Sequence, residues 1–379
     1  MKKAQVMSRR SLTVSHIVKA GVALAMWSGS AAYADDTAPA GRAIGYAFSY
    51  IQLSVNESEG AKAECPEGLV ELGPREQFKA AFPEGGAKRT VIDTQLRQEA
   101  DIWFPKTEPD QFPYRFAGGK TSRGLDLDGK VKPTDFTSPE GKPGIDNQLF
   151  RVIGCYNGFR EAGSVRNFYK LNLIKANINR AMIELTDVDS LVNDDDVTIT
   201  SYRGREYLVA DATGNEFLPG GTQRVDMEWG KQYIHSAKGK IVNGVLMTQP
   251  MDFLSPHETA YQTAPYDLMR DARFELKLTP EGAQGLIGGY VDIETLHASR
   301  NRTSSTHHLS YGQEAWGSIY RALIKLADGF PDPKTGKNTA ISGSYDVKMV
   351  QVRVVHPDKE VAEVDAPVAK QFADTSAAK

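Results

Sequence analysis

The chain predicts a mainly β protein: an antiparallel β-sandwich of jelly-roll type with one amphipathic helix near the C-terminus. Two observations predict the strands. Val225, Met227 and Trp229 alternate with Arg224, Asp226 and Glu228; Ala272, Phe274, Leu276 and Leu278 alternate with Arg273, Glu275 and Lys277; Val197 and Ile199 do likewise after Asp194-Asp195-Asp196. One wet side and one dry side mark half-buried antiparallel strands, whereas parallel strands are usually apolar on both faces. Turn signals at Ala237-Lys238-Gly239 and Thr279-Pro280-Glu281-Gly282 punctuate them as hairpins require. Such spacing suits a sandwich or a barrel, and the expectation is a sandwich. A third observation gives the helix over residues 313–328. Ser310 and Gln313 form a capping box, Trp316, Ile319, Tyr320, Leu323 and Leu326 form one apolar stripe, and Gly329 followed by Pro331 stops it.

From the N-terminus, the chain begins with an export signal. Ser8-Arg9-Arg10-Ser11-Leu12 supplies a positive start, Val14 to Ala32 an apolar middle, and Ala32-Tyr33-Ala34 a small-residue cleavage end. A membrane anchor needs ~20 uninterrupted apolar residues, and His16 and Lys19 interrupt this stretch. The paired arginines suit a twin-arginine or a general secretory signal equally. Residues 35–43 read as a linker, 44–356 as one sandwich domain, and the charged, alanine-rich 357–379 as a disordered tail.

Within the domain, Ile44, Tyr46, Phe48 and Tyr50 alternate, and Ile51, Leu53 and Val55 continue one step out of phase. A bulge, or a strand buried on both faces, produces this, and either makes the strand central. Pro74 to Phe82 reads as a short helix broken by Pro83-Glu84-Gly85-Gly86. Residues 105–147 are dense in Gly, Pro, Asp and Lys without apolar periodicity, and a loop that long is functional or disordered. Leu149 to Phe159 turns apolar and carries Cys155; Val165 to Ile178 has helical spacing; Ser344 to Val355 returns as a strand.

Composition excludes several classes. The 379 residues hold 45 basic and 48 acidic side chains. The signal contains five of the basic residues and no acidic one, so the mature chain is acidic, with a net charge of −8. Without basic clusters it is a poor partner for nucleic acid or anionic lipid, and no integral membrane segment remains after signal cleavage. Cys65 and Cys155 are the two cysteines, and export makes a disulfide between them the default. No haem, nucleotide or flavin motif is present. His257-Glu258-Thr259-Ala260-Tyr261 lacks the second histidine of a zinc protease, Tyr114 stands where a phosphate loop ending at Lys120-Thr121 would begin with glycine, and no Gly-x-Ser-x-Gly occurs.

Three groups of residues carry candidate chemistry. Asp126-Leu127-Asp128-Gly129, with Asp146 downstream, offers hard oxygen ligands to calcium, which takes six to eight of them; glycine at the fourth place excludes the helix–loop–helix calcium pattern. The bland alternative is an ordinary Asp/Gly turn. Asp292 and Glu294, two apart on an expected strand from Tyr290, would point to one face as a glycosidase pair does, with His297 beside them as a base or metal ligand. This segment resembles the last three places of the Glu-x-Asp-x-Glu strand of some sandwich-fold glycosidases, but Tyr290 stands in place of their nucleophile. His307 and His308 read as solvated loop residues. Trp103 and Phe104 are candidates for stacking on a sugar, against core packing as the commoner role.

Together these readings describe a periplasmic or secreted binding module for a glycan or other small polar ligand, with calcium ordering the loop. A glycan hydrolase using Asp292 and Glu294, and a structural envelope protein, are the alternatives. A pocket with convergent carboxylates separates the first from an aromatic platform without them.

Overall fold

The computed structural model describes residues 42–57, 59–70, 114–177, 180–228, 231–256, 266–299 and 316–357, with the backbone of 97–98 and 101–102. The export signal, the helix at 74–82, Trp103, Phe104, Trp229, His307, His308, the capping box at 310–313 and the tail beyond 357 lie outside the described residues.

The architecture is a closed antiparallel barrel of eight strands, which corrects the expected sandwich. The staves are β1 (Arg42–Leu53), β2 (Ala181–Val188), β3 (Asp194–Arg203), β4 (His235–Val242), β5 (Val245–Thr248), β6 (Tyr266–Leu278), β7 (Gly282–Asp292) and β8 (Asn338–Val355). Each pairs with the next in chain order, and β8 returns to β1, with Gly45 opposite Val352 and Leu53 opposite Tyr345. Alternation of wet and dry residues is the same in a sandwich and a barrel; what differs is whether the last strand finds the first. Coiling here comes from register breaks in β1 and β6 and from close backbone approach at Gly285, where a Cβ would stand 2.0 Å from the Glu275 carbonyl oxygen.

The expected phase change in β1 is a register break between Phe48 and Tyr50. Ile44, Tyr46 and Phe48 belong to the main core before it; Ile51 and Leu53 pack on that core after it. On the outer wall, Ala47, Met182, Val350 and Val352 are covered by Ile174, Leu208, Phe217 and Val225, a second small core. β1 is thus buried on both faces in its first half as well as bulged, so both readings of its pattern hold.

Two other expectations are corrected. Ala237, Lys238 and Gly239 lie inside β4, and the hairpin turn falls instead at Asn243-Gly244, with φ of 52° and 79°. Both residues take the left-handed conformation that a two-residue hairpin favours, which Asn and Gly adopt most readily. The expected strand at 224–229 is reduced to Gly221–Arg224, which runs parallel to the last residues of β8, while Val225 makes a single bridge to Gly204. The Thr279–Gly282 turn joins β6 to β7 as expected, with the Thr279 amide donating to the Gly282 carbonyl at 2.8 Å. β5 is short because Pro250, which has no N–H, interrupts the ladder; the chain resumes at Met251–Pro256 along the other half of β6.

Two helices, α1 (Gln148–Ile153) and α3 (Trp316–Leu326), pack on each other and on β8, and their apolar residues join the barrel core. The Asn147 side chain caps α1 by accepting from the Phe150 amide at 3.2 Å. Ile319 and Leu323 of the expected stripe are fully buried. Between them in sequence, α2 (Ser164–Lys170) runs into a π-helical turn at Leu171–Lys175. Cys65 and Cys155 form a disulfide with their Cα atoms 5.6 Å apart. Beside it the fully buried Glu64 pairs with Arg160 at 2.5 Å.

Outward positions of β4 and β6 carry exposed Lys238, Lys240, Glu275 and Lys277, where a lipid-facing barrel needs apolar side chains. Among the described residues, no helix is long and apolar enough to cross a membrane.

Candidate functional site

The loop before α1 lies against the outer wall of β6 to β8. Arg273 of β6 donates to the Leu127 carbonyl at 2.6 Å, Arg123 pairs with Asp346 of β8 at 2.9 Å, and the Gln148 amide donates to Ser342 Oγ at 3.1 Å. These ties bring Asp126, Asp128 and Asp146 together, with one ligand atom of each within 4.8 Å of the others. Asp146 is buried, and loss of water raises its pKa; its Oδ2 accepts from the Leu127 amide at 2.7 Å. Asp126 Oδ1 accepts from the Gly129 amide at 2.7 Å, and Asp128 Oδ1 from Lys130 at 2.9 Å. Gly129 has φ of 72°, which suits the Asp-Gly bend.

Calcium fits this donor set poorly. The Lys132 ammonium already bonds Asp128 Oδ2 and lies 3.7 Å from Asp146 Oδ1. The hydrogen bond to Asp128 is the largest cause holding the lysine well above its ordinary pKa, and in return Asp128 is lowered. One oxygen of each carboxylate accepts from a backbone amide, and Lys132 stands against Asp128 and Asp146. Calcium wants six to eight free oxygens.

Asp292 and Glu294 do not share a strand face, contrary to expectation. β7 ends at Asp292, and residues 293–299 are helical. Asp292 caps that helix, its Oδ1 accepting from the Thr295 amide at 2.9 Å, while Oδ2 pairs with Arg270 at 2.5 Å. Glu294 accepts from the Tyr320 hydroxyl of α3 at 2.5 Å. His297 is 5% exposed, its ring 4.5 Å from that of Tyr320, and neither ring nitrogen has a hydrogen-bond partner among the described residues. Burial pushes its pKa down to about 4, so it is neutral and holds no proton to give at neutral pH. The three residues knit the end of β7 to α3.

A groove of about 640 Å³ opens on the outer wall beside the β6–β7 turn. Its floor is one row of side chains across four adjacent strands. Lys277 of β6 lies opposite Gln284 of β7, Gln284 opposite Lys348 of β8, and Lys348 opposite Tyr50 of β1. The bulge in β1 is what turns Tyr50 to this outer side. Lys170 of α2 and Phe217 form the facing wall. An arginine steadies each ring: Arg166 Nε and Nη2 donate to the Tyr50 hydroxyl at 3.1 and 2.5 Å, and the Arg180 guanidinium lies 4.5 Å over Phe217. Arg180 is fixed in turn by donating to the Phe48 carbonyl at 2.6 Å and the Leu173 carbonyl at 3.2 Å. By contrast, the void among Ile51, Phe253, Ile287 and Tyr345 inside the barrel is about 10 Å³, room for about one water. That part of the interior is packed, so the outer wall offers the space.

Sequence reading passed over this groove. Lys277 was placed outward by its alternation, but its alignment with Lys348 and Tyr50, 71 and 227 positions away, is a matter of register. The fold and site define a class: an up-and-down eight-stranded barrel with a polar groove on its outer wall. No protein-family model matches the chain, and neither the curated proteins nor the solved structures contain a match to it.

Proposed function

We propose that this protein is an exported, non-enzymatic binding module for a glycan or another small polar ligand, acting in the periplasm or outside the cell. The observation that carries the reading is the groove itself: the Tyr50 ring held by Arg166 beside the exposed Lys170, Lys277, Gln284 and Lys348 side chains. Small-ligand sites combine a concave surface, apolar rings and a few oriented polar groups, and rings fixed before binding lose little freedom on binding. The acidic loop, with Lys132 against two of its carboxylates, serves in this reading as support for the wall rather than as a calcium site.

Thermal-shift and calorimetric screening against neutral and acidic oligosaccharides tests it. Binding is expected for at least one class, with Tyr50→Ala weakening it by about tenfold or more, a loss of ~1.4 kcal/mol, at unchanged melting temperature. A chain that binds no member of the panel would favour the structural envelope protein. N-terminal sequencing of material from the native host should begin near Asp35.

A further inference from the structure

We infer that the groove takes an anionic ligand, an acidic oligosaccharide bearing carboxylate or sulfate groups; the inference rests on the binding reading above. Three ammonium groups converge on it. Lys277 and Lys348 stand two strands apart in the same row, roughly 10 Å at the usual strand spacing, with the Gln284 amide between them. Lys170 enters from the opposite wall.

None of the three lysines makes an ion pair or side-chain hydrogen bond among the described residues. Glu216 and Glu281 also line the groove but form no pair with these ammoniums. Among the lining residues, the three lysines against two glutamates leave one positive charge. A row of like charges held without counter-ions carries a repulsion that an anion relieves. The glutamates belong to the β6–β7 turn and to the 215–219 segment.

The spacing also sets the form of the ligand. Two lysines on strands about 10 Å apart, with a hydrogen-bonding amide between them and a ring at the end of the row, suit an extended chain that carries more than one anionic group.

Calorimetric titration of the purified protein with three oligosaccharides of equal length decides this: one neutral, one a polyuronate, one sulfated. At least one anionic probe should bind about tenfold or more tighter than the neutral one, and raising salt from low to molar concentration should erase most of the difference. Comparison of the polyuronate with the sulfated probe identifies the anionic group. Lys277→Gln and Lys348→Gln, both at exposed positions, should each weaken the anionic probe several-fold and narrow its advantage over the neutral one. Lys337→Gln, on the distal hairpin, should change neither. Equal, salt-insensitive binding of the neutral and anionic probes would overturn the inference and leave the binding module standing. No binding of any probe would overturn both.

Discussion

At the scale of single residues, the least comfortable group is His297, buried with both ring nitrogens unsatisfied among the described residues. Water would bind at least one of them in the unfolded chain, so burial costs stability and holds the pKa near 4 against an ordinary 6.5. Because the folded value lies below the unfolded one, the unfolded chain takes up the proton first as pH falls. This group's contribution to stability is complete above about pH 6.5 and is lost progressively down to pH 4. Burial raises Asp146, Asp328 and Asp346 instead, and their contributions run the opposite way. A difference between variant and wild type isolates the histidine. His297→Phe keeps the ring packing on Tyr320 and removes the titration, so its stability relative to wild type should improve by on the order of 2 kcal/mol between pH 8 and pH 4.5. Urea unfolding at the two pH values measures it; a constant gap would mean that His297 is not held neutral. The histidine and the acids at 292 and 294 were visible in the sequence as polar residues close together. Their roles were not, because the helix that begins at residue 293 separates Asp292 from Glu294, and a two-residue spacing alone suits a strand equally.

At the scale of elements, the loop before α1 shows how a segment without apolar periodicity becomes ordered. Its ties are polar: Asp146 to the Leu127 amide, Arg273 to the Leu127 carbonyl, Asn147 to Ser122 at 3.0 Å, and Lys132 to Asp128 and Asp146. Gathering carboxylates is unfavourable without a cation, and the ammonium supplies it from within the chain. Wild-type protein should therefore melt at the same temperature in calcium and in chelator. Lys132→Met should melt lower than wild type in both buffers, because Asp128 and Asp146 then lose their ammonium partner. Calorimetry in the two buffers checks both statements, and a calcium-dependent rise in wild type would show that the ion displaces Lys132. The acidic triad was legible in the sequence from its Asp-Leu-Asp-Gly bend. Lys132 was not singled out, because a lysine four residues from an aspartate is common on any polar loop. The hairpin at Asn243-Gly244 was legible in principle, as that pair strongly favours a tight turn, yet Ala237-Lys238-Gly239 read as the break. A glycine in mid-strand looks like a turn until its pairing partner, Thr248, is known.

For the whole molecule, closure of the barrel and the disulfide do separate work. Pairing of β8 with β1 removes both sheet edges. The disulfide ties the segment before the acidic loop to the end of α1 across a separation of 90 residues. In the chain-entropy view, removing it costs roughly 4–5 kcal/mol, an effect on the unfolded chain that leaves the barrel ladder intact. Cys65→Ala/Cys155→Ala should accordingly lower the free energy of denaturant unfolding by that order with little change in the β signal of circular dichroism. Loss of the β signal under native conditions would mean that barrel closure depends on the bond. The sequence by itself determined what is local: antiparallel strands from their alternation, the phase break in β1, the C-terminal helix, the cysteine pairing and the clustering of acids near the Asp-Gly bend. Each of these depends on residues a few positions apart or on having only two cysteines to join. Tertiary structure alone decided that the sheet closes, that Glu294 lies on a helix, that Lys132 stands against Asp128 and Asp146, and that Lys277, Gln284, Lys348 and Tyr50 fall in one row. Those outcomes depend on register between distant strands, and the period-two pattern is the same in every even-numbered register.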